Sequence, residues 1–321
     1  MEDGLPVLKK KGLAGRTRTG LIPEGFPSQA GFSVVTEHSI CLFTSFTRYS
    51  MRSQFLAYRS SWIHYLLAGN GKRLLLCMHG YGESADSFAF LEKDLPPAYS
   101  MLAIDFPYHG QTVWKDGPYF TPDNLLEIIH AIGREQGIAI ENISLMGFSM
   151  GGRMVLHMLQ LLADKTNRLL LLAPDGLRVN TWYWLATQTR IGKSFFKYTM
   201  HHPGWFFATI RVAKTLKLAN PSVYKFVNYY IEDEWMREEL YLRWTSMCRF
   251  KPDLGKIRTL IRRHEIQVRM LYGRYDRIIR FERGEKFSRG IEALCTLKIL
   301  PCGHQLLQEK NGEMISNMLS D

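Results

Sequence analysis

The 321-residue chain is poor in cysteine: Cys41, Cys77, Cys248, Cys295 and Cys302 are five, odd in number and widely scattered. That pattern excludes a disulfide framework and a zinc site of CxxC spacing, so free thiols are expected. Long apolar runs are missing too. A membrane-spanning helix needs roughly 18 to 20 apolar residues in succession, and the chain offers only short stretches such as Leu169 to Pro174. The N-terminal MEDGLPVLKKKGLAGRTRTG has charges and glycines where a secretory signal would have its apolar stretch and cleavage site, so a cytoplasmic protein is expected. There is no HExxH and no GxxxxGK[ST], so neither a metal nor another cofactor is expected. Acidic residues are the minority, 30 against 41 Lys and Arg. A net charge of +11 admits an anionic partner, but no nucleic-acid-binding module accompanies it, so no nucleic acid is expected. With 46% hydrophobic and 22% charged residues, the chain is neither disordered nor fibrous.

Short buried runs bounded by Gly, Pro or Asp recur at Arg73 to Met78, Ser100 to Ile104, Ile143 to Met146, Leu169 to Ala173, Val268 to Tyr272 and Leu297 to Leu300. Helical patterns lie between or after them at Pro122 to Glu135, Gly151 to Leu162, Arg280 to Ile291 and Gln305 to Met318. Alternation predicts two earlier strands around Phe55 and His64, joined at Ser60 and Ser61. A series of this kind implies an α/β fold, a mostly parallel sheet with helices on both faces. Residues 1–50 fit no strand or helix template and read as a loosely ordered extension. The core is expected over 51–175 and 251–321.

Between them, 176–250 reads as a helical, aromatic-rich insertion. Leu177 to Phe250 holds 17 of the 40 aromatics, with breaks at Pro203-Gly204 and Pro221 and helix starts at Ser222 and Glu232 to Glu234. The basic excess is concentrated here, since Leu177 to His264 carries 16 Lys and Arg against 6 Asp and Glu.

Gly147-Phe148-Ser149-Met150-Gly151 stands directly after one predicted strand and before a helix. Glycines flanking a serine allow the sharp strand-to-helix turn that lifts its hydroxyl clear of the sheet. The turn sets the Met150 N–H at a helix N-terminus, where it can face a developing oxyanion. The plainer reading is a tight glycine turn with an incidental serine, and the strand and helix on either side speak against it.

Here the sequence resembles the α/β-hydrolase fold superfamily over about residues 51–321. His79-Gly80-Tyr81-Gly82 is similar to the family's H-G-x-G loop, which implies Tyr81 as the second oxyanion N–H. Asp105 to Thr112 is similar to the family's D-x-P-G-x-G-x-S segment, with Tyr108 in place of the first glycine. A serine nucleophile needs a base, and the base an orienting carboxylate. Asp276 follows the Val268 to Tyr272 strand and His304 the Leu297 to Leu300 strand, so Ser149, Asp276, His304 match the family order. Asp175 is the rival acid, at a position some lipases use. The other histidines, His79 and His109 included, read as hydrogen-bonding or surface groups. Serine at the turn excludes the haloalkane dehalogenase and epoxide hydrolase branches, which carry an aspartate there.

The resemblance implies a serine hydrolase that cleaves a carboxylic ester through an acyl-enzyme, with the insertion as a lid. The lid aromatics would form an apolar pocket for an acyl chain or ring, although half of them could equally pack the insertion's own core. Ser149-Met150-Gly151-Gly152-Arg153 also resembles the turn of a menaquinone-pathway lyase and, in part, of meta-cleavage C–C hydrolases. That makes Arg153 a candidate for a substrate carboxylate, and Phe148, where the lyase has tyrosine, a second substrate-binding candidate. A lyase or C–C hydrolase is the alternative function; a non-catalytic binding protein of the same fold is a third. The expected partner is a small ester or acyl substrate. Weak contact of the lid with an anionic membrane surface, through Lys193 to Tyr198, Trp205 to Phe207, Arg211, Lys214 and Lys217, competes with a simple solvated basic face.

Overall fold

The computed structural model describes residues 51–178, 181–215 and 233–320. The chain there opens with a hairpin, β1 (Arg52–Tyr58) antiparallel to β2 (Ser61–Ala68). The turn is Arg59-Ser60, one residue earlier than the sequence reading, and Arg59 takes the positive φ of 53° that a two-residue hairpin turn demands. Six further strands follow: β3 (Arg73–Met78), β4 (Tyr99–Ile104), β5 (Ile143–Phe148), β6 (Thr166–Leu172), β7 (Gln267–Gly273) and β8 (Cys295–Leu300). Their order in the sheet is β1-β2-β4-β3-β5-β6-β7-β8, with every pairing from β4 to β8 parallel.

Every residue of β4 and β5 is buried. Successive side chains point to opposite faces, so such strands require cover on both sides, which helices supply. The edge strands β1 and β8 are partly exposed along their lengths, as edges tolerate. The chain order reverses at β3, which has β4 on one side and β5 on the other. In an open α/β sheet that reversal leaves a crevice beyond the strands' carboxyl ends, where the chemistry collects.

Helix α1 (Pro122–Gln136) is delimited by local signals. Thr121 and Asn124 form a reciprocal capping box, Pro122 opens the first turn, and Gly137 closes the helix at φ 65°. Helix α2 (Met150–Leu162) starts without an intervening residue after Ser149 and packs along β5, β3 and β6. Between β6 and α7 (Leu254–Arg263) lies the helical insertion, with α3 (Thr181–Gln188), α4 (Arg190–His201), α5 (Gly204–Thr215) and α6 (Glu234–Ser246). Pro203 separates α4 from α5, and the Asp233 carboxylate accepts the Met236 N–H to cap α6 at 2.9 Å, an arrangement worth about 1 kcal/mol. Pro221, Ser222, Glu232 and the aromatics Tyr224, Phe226, Tyr229 and Tyr230 lie outside the described residues, as do 1–50. Phe196 packs on Tyr241 and Trp244 at ring separations of 5.4 and 5.6 Å, around buried Met200 and Leu240. Part of the aromatic excess therefore builds the insertion's own core.

Two predicted helices are shorter than the sequence suggests. Helix α8 spans Glu282–Ser288, because Arg289 turns extended at φ −60° and ψ 123° and ends it, ahead of Gly290 at φ 85°. Helix α9 spans only Gly312–Asn317. After His304 the Leu306 carbonyl accepts Gln308 N and Asn311 Nδ2, both at 2.9 Å, so no helical ladder forms there. Cys77, Cys248, Cys295 and Cys302 are free thiols, and burial pushes Cys295 up to about 11; Cys41 lies outside the described residues.

Candidate active site

Ser149 is held in a conformation that few non-glycine residues adopt, φ 50° and ψ −116°. Three backbone hydrogen bonds hold it there: its N–H donates to Leu172 O at 3.0 Å, and its carbonyl accepts Gly152 N at 2.9 Å and Asp175 N at 2.7 Å. The start of α2 presses on β3 so closely that a Cβ on Gly151 would lie 1.9 Å from Met78 O, so only glycine serves. Strain localised by so many surrounding constraints is a feature of functional turns.

The structure brings the three residues predicted from sequence into one chain of hydrogen bonds. The Ser149 hydroxyl meets His304 Nε2 at 3.0 Å, and His304 Nδ1 donates to Asp276 Oδ2 at 2.7 Å. Asp276 also accepts the amides of Ile278 and Ile279 on its other oxygen, at 2.7 and 2.9 Å. Burial by itself would raise its pKa, but the hydrogen bond and charge of His304 and the two amides outweigh it, and the carboxyl is held below its usual range. An anchored carboxylate fixes the proton on Nδ1 and leaves Nε2 free to accept from serine. The loops that carry Asp276 and His304 are pressed together: a Cβ on Gly273 would stand 2.1 Å from Gly303 O. Asp175, the rival acid, does not contact His304; its Oδ2 lies 3.7 Å from Arg153 Nε.

Ser149 opens into a cavity of about 530 Å³, which Tyr81, Met150, Arg153, Asp175 and Arg243 also line. Met150 is the first residue of α2, where the amide has no acceptor within its own helix. The insertion reaches the cavity through Tyr183, Leu240, Arg243 and Trp244. Arg153 is buried, with its guanidinium 4.4 Å from the Tyr183 ring and Asp175 beside it. Phe148, expected as a substrate contact, is placed beneath the serine. It is 2% exposed: as the last residue of β5 its side chain turns into the core, where its ring packs 5.2 Å from His304.

Several contributors escaped the sequence reading. Glu83 accepts Gly80 N at 3.2 Å and Gln305 Nε2 at 2.9 Å, tying the loop after β3 to the loop of His304. Arg243 donates from Nε to Tyr108 O at 2.7 Å and pairs with Glu239 at 2.6 Å, which couples α6 to the loop after β4. Only the i,i+4 spacing of Glu239 and Arg243 was legible beforehand. Tyr108 itself stands at φ 63°, so the glycine conformation persists where tyrosine replaces glycine. His79 is structural: Nδ1 donates to Gly80 O at 2.8 Å and Nε2 accepts Phe106 N at 3.1 Å.

A second Ser–His–Asp chain was also unforeseen. The Ser53 hydroxyl meets His64 Nε2 at 2.8 Å, and His64 Nδ1 donates to Asp105 Oδ2 at 2.8 Å. Asp105 further accepts Ala85 N at 2.6 Å and Gln111 N at 2.7 Å. Among the described residues no group of three or more His, Cys, Asp or Glu is placed to hold a metal ion.

Comparison with known proteins agrees with this architecture. The family described as "alpha/beta hydrolase fold" matches residues 73–310, so the chain belongs to the α/β hydrolase fold family and is a hydrolase of that fold. "Uncharacterized hydrolase YugF" from Bacillus subtilis is 22% identical over 253 residues, 78% of this chain and 90% of that protein. Among solved structures, a thermophilic esterase from Thermogutta terrifontis matches with a TM-score of 0.57 at 16% identity, over 84% of this chain and 96% of the other. A thioesterase domain from the curacin biosynthetic pathway matches with a TM-score of 0.55 at 14% identity, over 84% and 99%.

Proposed function

We propose that the protein is a serine hydrolase that cleaves a carboxylic ester, with an apolar acyl chain or ring in the substrate, through an acyl-enzyme. The observation that carries this reading is the unbroken relay from Ser149 Oγ to His304 at 3.0 Å and on to Asp276 at 2.7 Å, set on a strained turn at a cavity. His304 takes the Ser149 proton as Oγ attacks the acyl carbon. The oxyanion rests on the N–H groups of Met150 and Tyr81, both of which line the cavity with Ser149. His304 then protonates the leaving group, and water repeats the sequence to release the acid. Asp276 holds the imidazole in the required tautomer and stabilises the imidazolium. The insertion acts as the lid, and Tyr183, Leu240 and Trp244 offer the acyl group its apolar wall.

The C–C hydrolase or lyase reading depends on Arg153 meeting a substrate carboxylate, and Asp175 beside it competes for that charge. The test is hydrolysis of p-nitrophenyl esters of short, medium and long chains by wild type and Ser149→Ala. Turnover that vanishes with Ser149, together with fluorophosphonate labelling of that residue, supports the serine esterase. Full turnover in Ser149→Ala sinks it.

A further inference from the structure

A second cavity, of about 660 Å³, adjoins the one that holds Ser149, and Arg178 and Arg283 line both. It also gathers Arg258 of α7, Arg280 and Lys286, with Glu282 as its single acidic residue. Glu282 is taken by Arg280. Among the described residues no carboxylate pairs with Arg178, Arg258, Arg283 or Lys286. Leu177, Leu254 and Phe287 complete the wall.

Cations gathered in one concavity repel one another, and an anion placed among them would relieve that repulsion. A carboxylate brings one charge. A phosphate group brings nearly two, and its oxygens match the planar fork of a guanidinium in a bidentate way that a carboxylate exploits only once. The cavity is therefore suited to one or two phosphates, with the partly exposed Leu254 as an apolar neighbour. Because Arg178 and Arg283 belong to both cavities, such an anion would be continuous with whatever occupies Ser149. The apolar side of the first cavity, Tyr183, Leu240 and Trp244, takes the acyl part and leaves the basic cavity to the other half of the molecule.

We propose that this basic cavity binds the phosphate of the substrate's leaving group, so that the substrate class is an ester or thioester of a phosphorylated alcohol or thiol. The inference rests on Ser149 as the acyl-accepting nucleophile. In the reaction the bond from Ser149 Oγ to the acyl carbon forms, the bond from that carbon to the leaving oxygen or sulfur breaks, and the leaving atom takes its proton from His304. Water then splits the acyl-enzyme and restores the serine hydroxyl. The phosphate is unchanged throughout; it anchors.

The experiment compares the full chain with the double charge reversal Arg258→Glu/Lys286→Glu and with Lys256→Glu, an exposed residue of the same helix outside both cavities. Thermal melts establish that each variant is folded. Rates are measured on neutral p-nitrophenyl butyrate, on butyryl-coenzyme A as a soluble phosphorylated thioester, and on 1-oleoyl-lysophosphatidic acid as a lipid phosphate. Inorganic pyrophosphate is tested as an inhibitor of the neutral ester. The expected result is that the double reversal lowers kcat/KM for one phosphorylated substrate, relative to the neutral ester, by about tenfold or more. Pyrophosphate should compete in the wild type, less so in the double variant and at high salt, while Lys256→Glu changes neither. Which phosphorylated substrate responds tells a soluble leaving group from a lipid one. If Ser149-dependent turnover of the neutral ester is present but neither ratio nor inhibition responds to the reversal, the phosphate site is overturned and the serine esterase stands. If calorimetry shows reversal-sensitive pyrophosphate binding and no ester is cleaved, the cavity keeps its anion and the ester reading falls.

Discussion

Two Ser–His–Asp chains occupy this molecule with nearly the same distances, and their surroundings differ in each respect that matters for reactivity. Ser149 sits at φ 50° on a turn that opens a helix and a cavity, with a histidine side chain that is 18% exposed. Ser53 lies within the edge strand β1, where no helix begins, and its partners His64 and Asp105 are fully buried. Ordinary strand backbone offers Ser53 no neighbouring amide for an oxyanion, because strand amides point along the sheet. The constellation of side chains is therefore common to the two; the backbone beneath the serine is what differs. In the second chain Asp105 gathers amides from two loops and His64, and it serves as a knot that joins β2 to the loop after β4.

The largest expected effect separates the two serines. Ser149→Ala should lower ester turnover by roughly a thousandfold or more, whereas Ser53→Ala should leave kcat/KM within a factor of about two, since a surface hydroxyl remote from the cavity is removed. Comparable losses from both would dissolve the distinction. The histidines should then divide stability from activity. His304→Ala should abolish turnover and melt close to wild type, while His64→Ala strands a buried carboxylate, costs about 3 kcal/mol and lowers Tm by roughly 10 °C. Calorimetric scans of the two variants would decide.

The carboxylates sharpen the same contrast through pH. Burial alone would raise the pKa of Asp105, but the His64 hydrogen bond and the Ala85 and Gln111 amides prevail and hold it below its usual range. A depressed folded pKa means that the unfolded chain takes up the proton first. The stabilisation is complete above the ordinary carboxylate pKa, about 3.9, and drains away as pH falls from there through the folded value. Asp105→Asn should lie below wild type in Tm at neutral pH, with the gap closing toward acid. A gap that stays constant down the acid limb would refute the assignment. The smallest effect belongs to Asp175→Ala. Asp175 faces Arg153 and not His304, so most turnover should survive, within a factor of a few; a collapse in esterase assays would reinstate it as the acid.

What was readable beforehand was local. The serine turn, the helical pattern of α1 and the strand-to-loop placement of Asp276 and His304 are each written within about ten residues of sequence, because dihedral restrictions of glycine and proline and the period of apolar residues act at that range. The burial of Phe148 was not legible, because adjacency to Ser149 in sequence says nothing of the side to which a strand's last side chain turns. The helix expected after His304 failed because the Leu306 carbonyl found other donors, Gln308 and the side chain of Asn311, which an apolar pattern does not announce. The Ser53 relay was invisible because His64 meets Asp105 only once β2 is laid beside β4, out of chain order.

The amino-acid sequence alone determined the class of fold, the order Ser149, Asp276, His304 and the concentration of positive charge between Leu177 and His264. Periodicity, turn chemistry and composition are properties of neighbouring residues and survive without coordinates. The tertiary structure alone decided that Asp276 and not Asp175 reaches His304, that Phe148 turns into the core, and that four cations without a carboxylate partner, from three segments, line a concavity adjoining that of the serine. Each of these depends on which distant segments the parallel sheet sets side by side, and loop closure over tens of residues leaves no local trace in the chain.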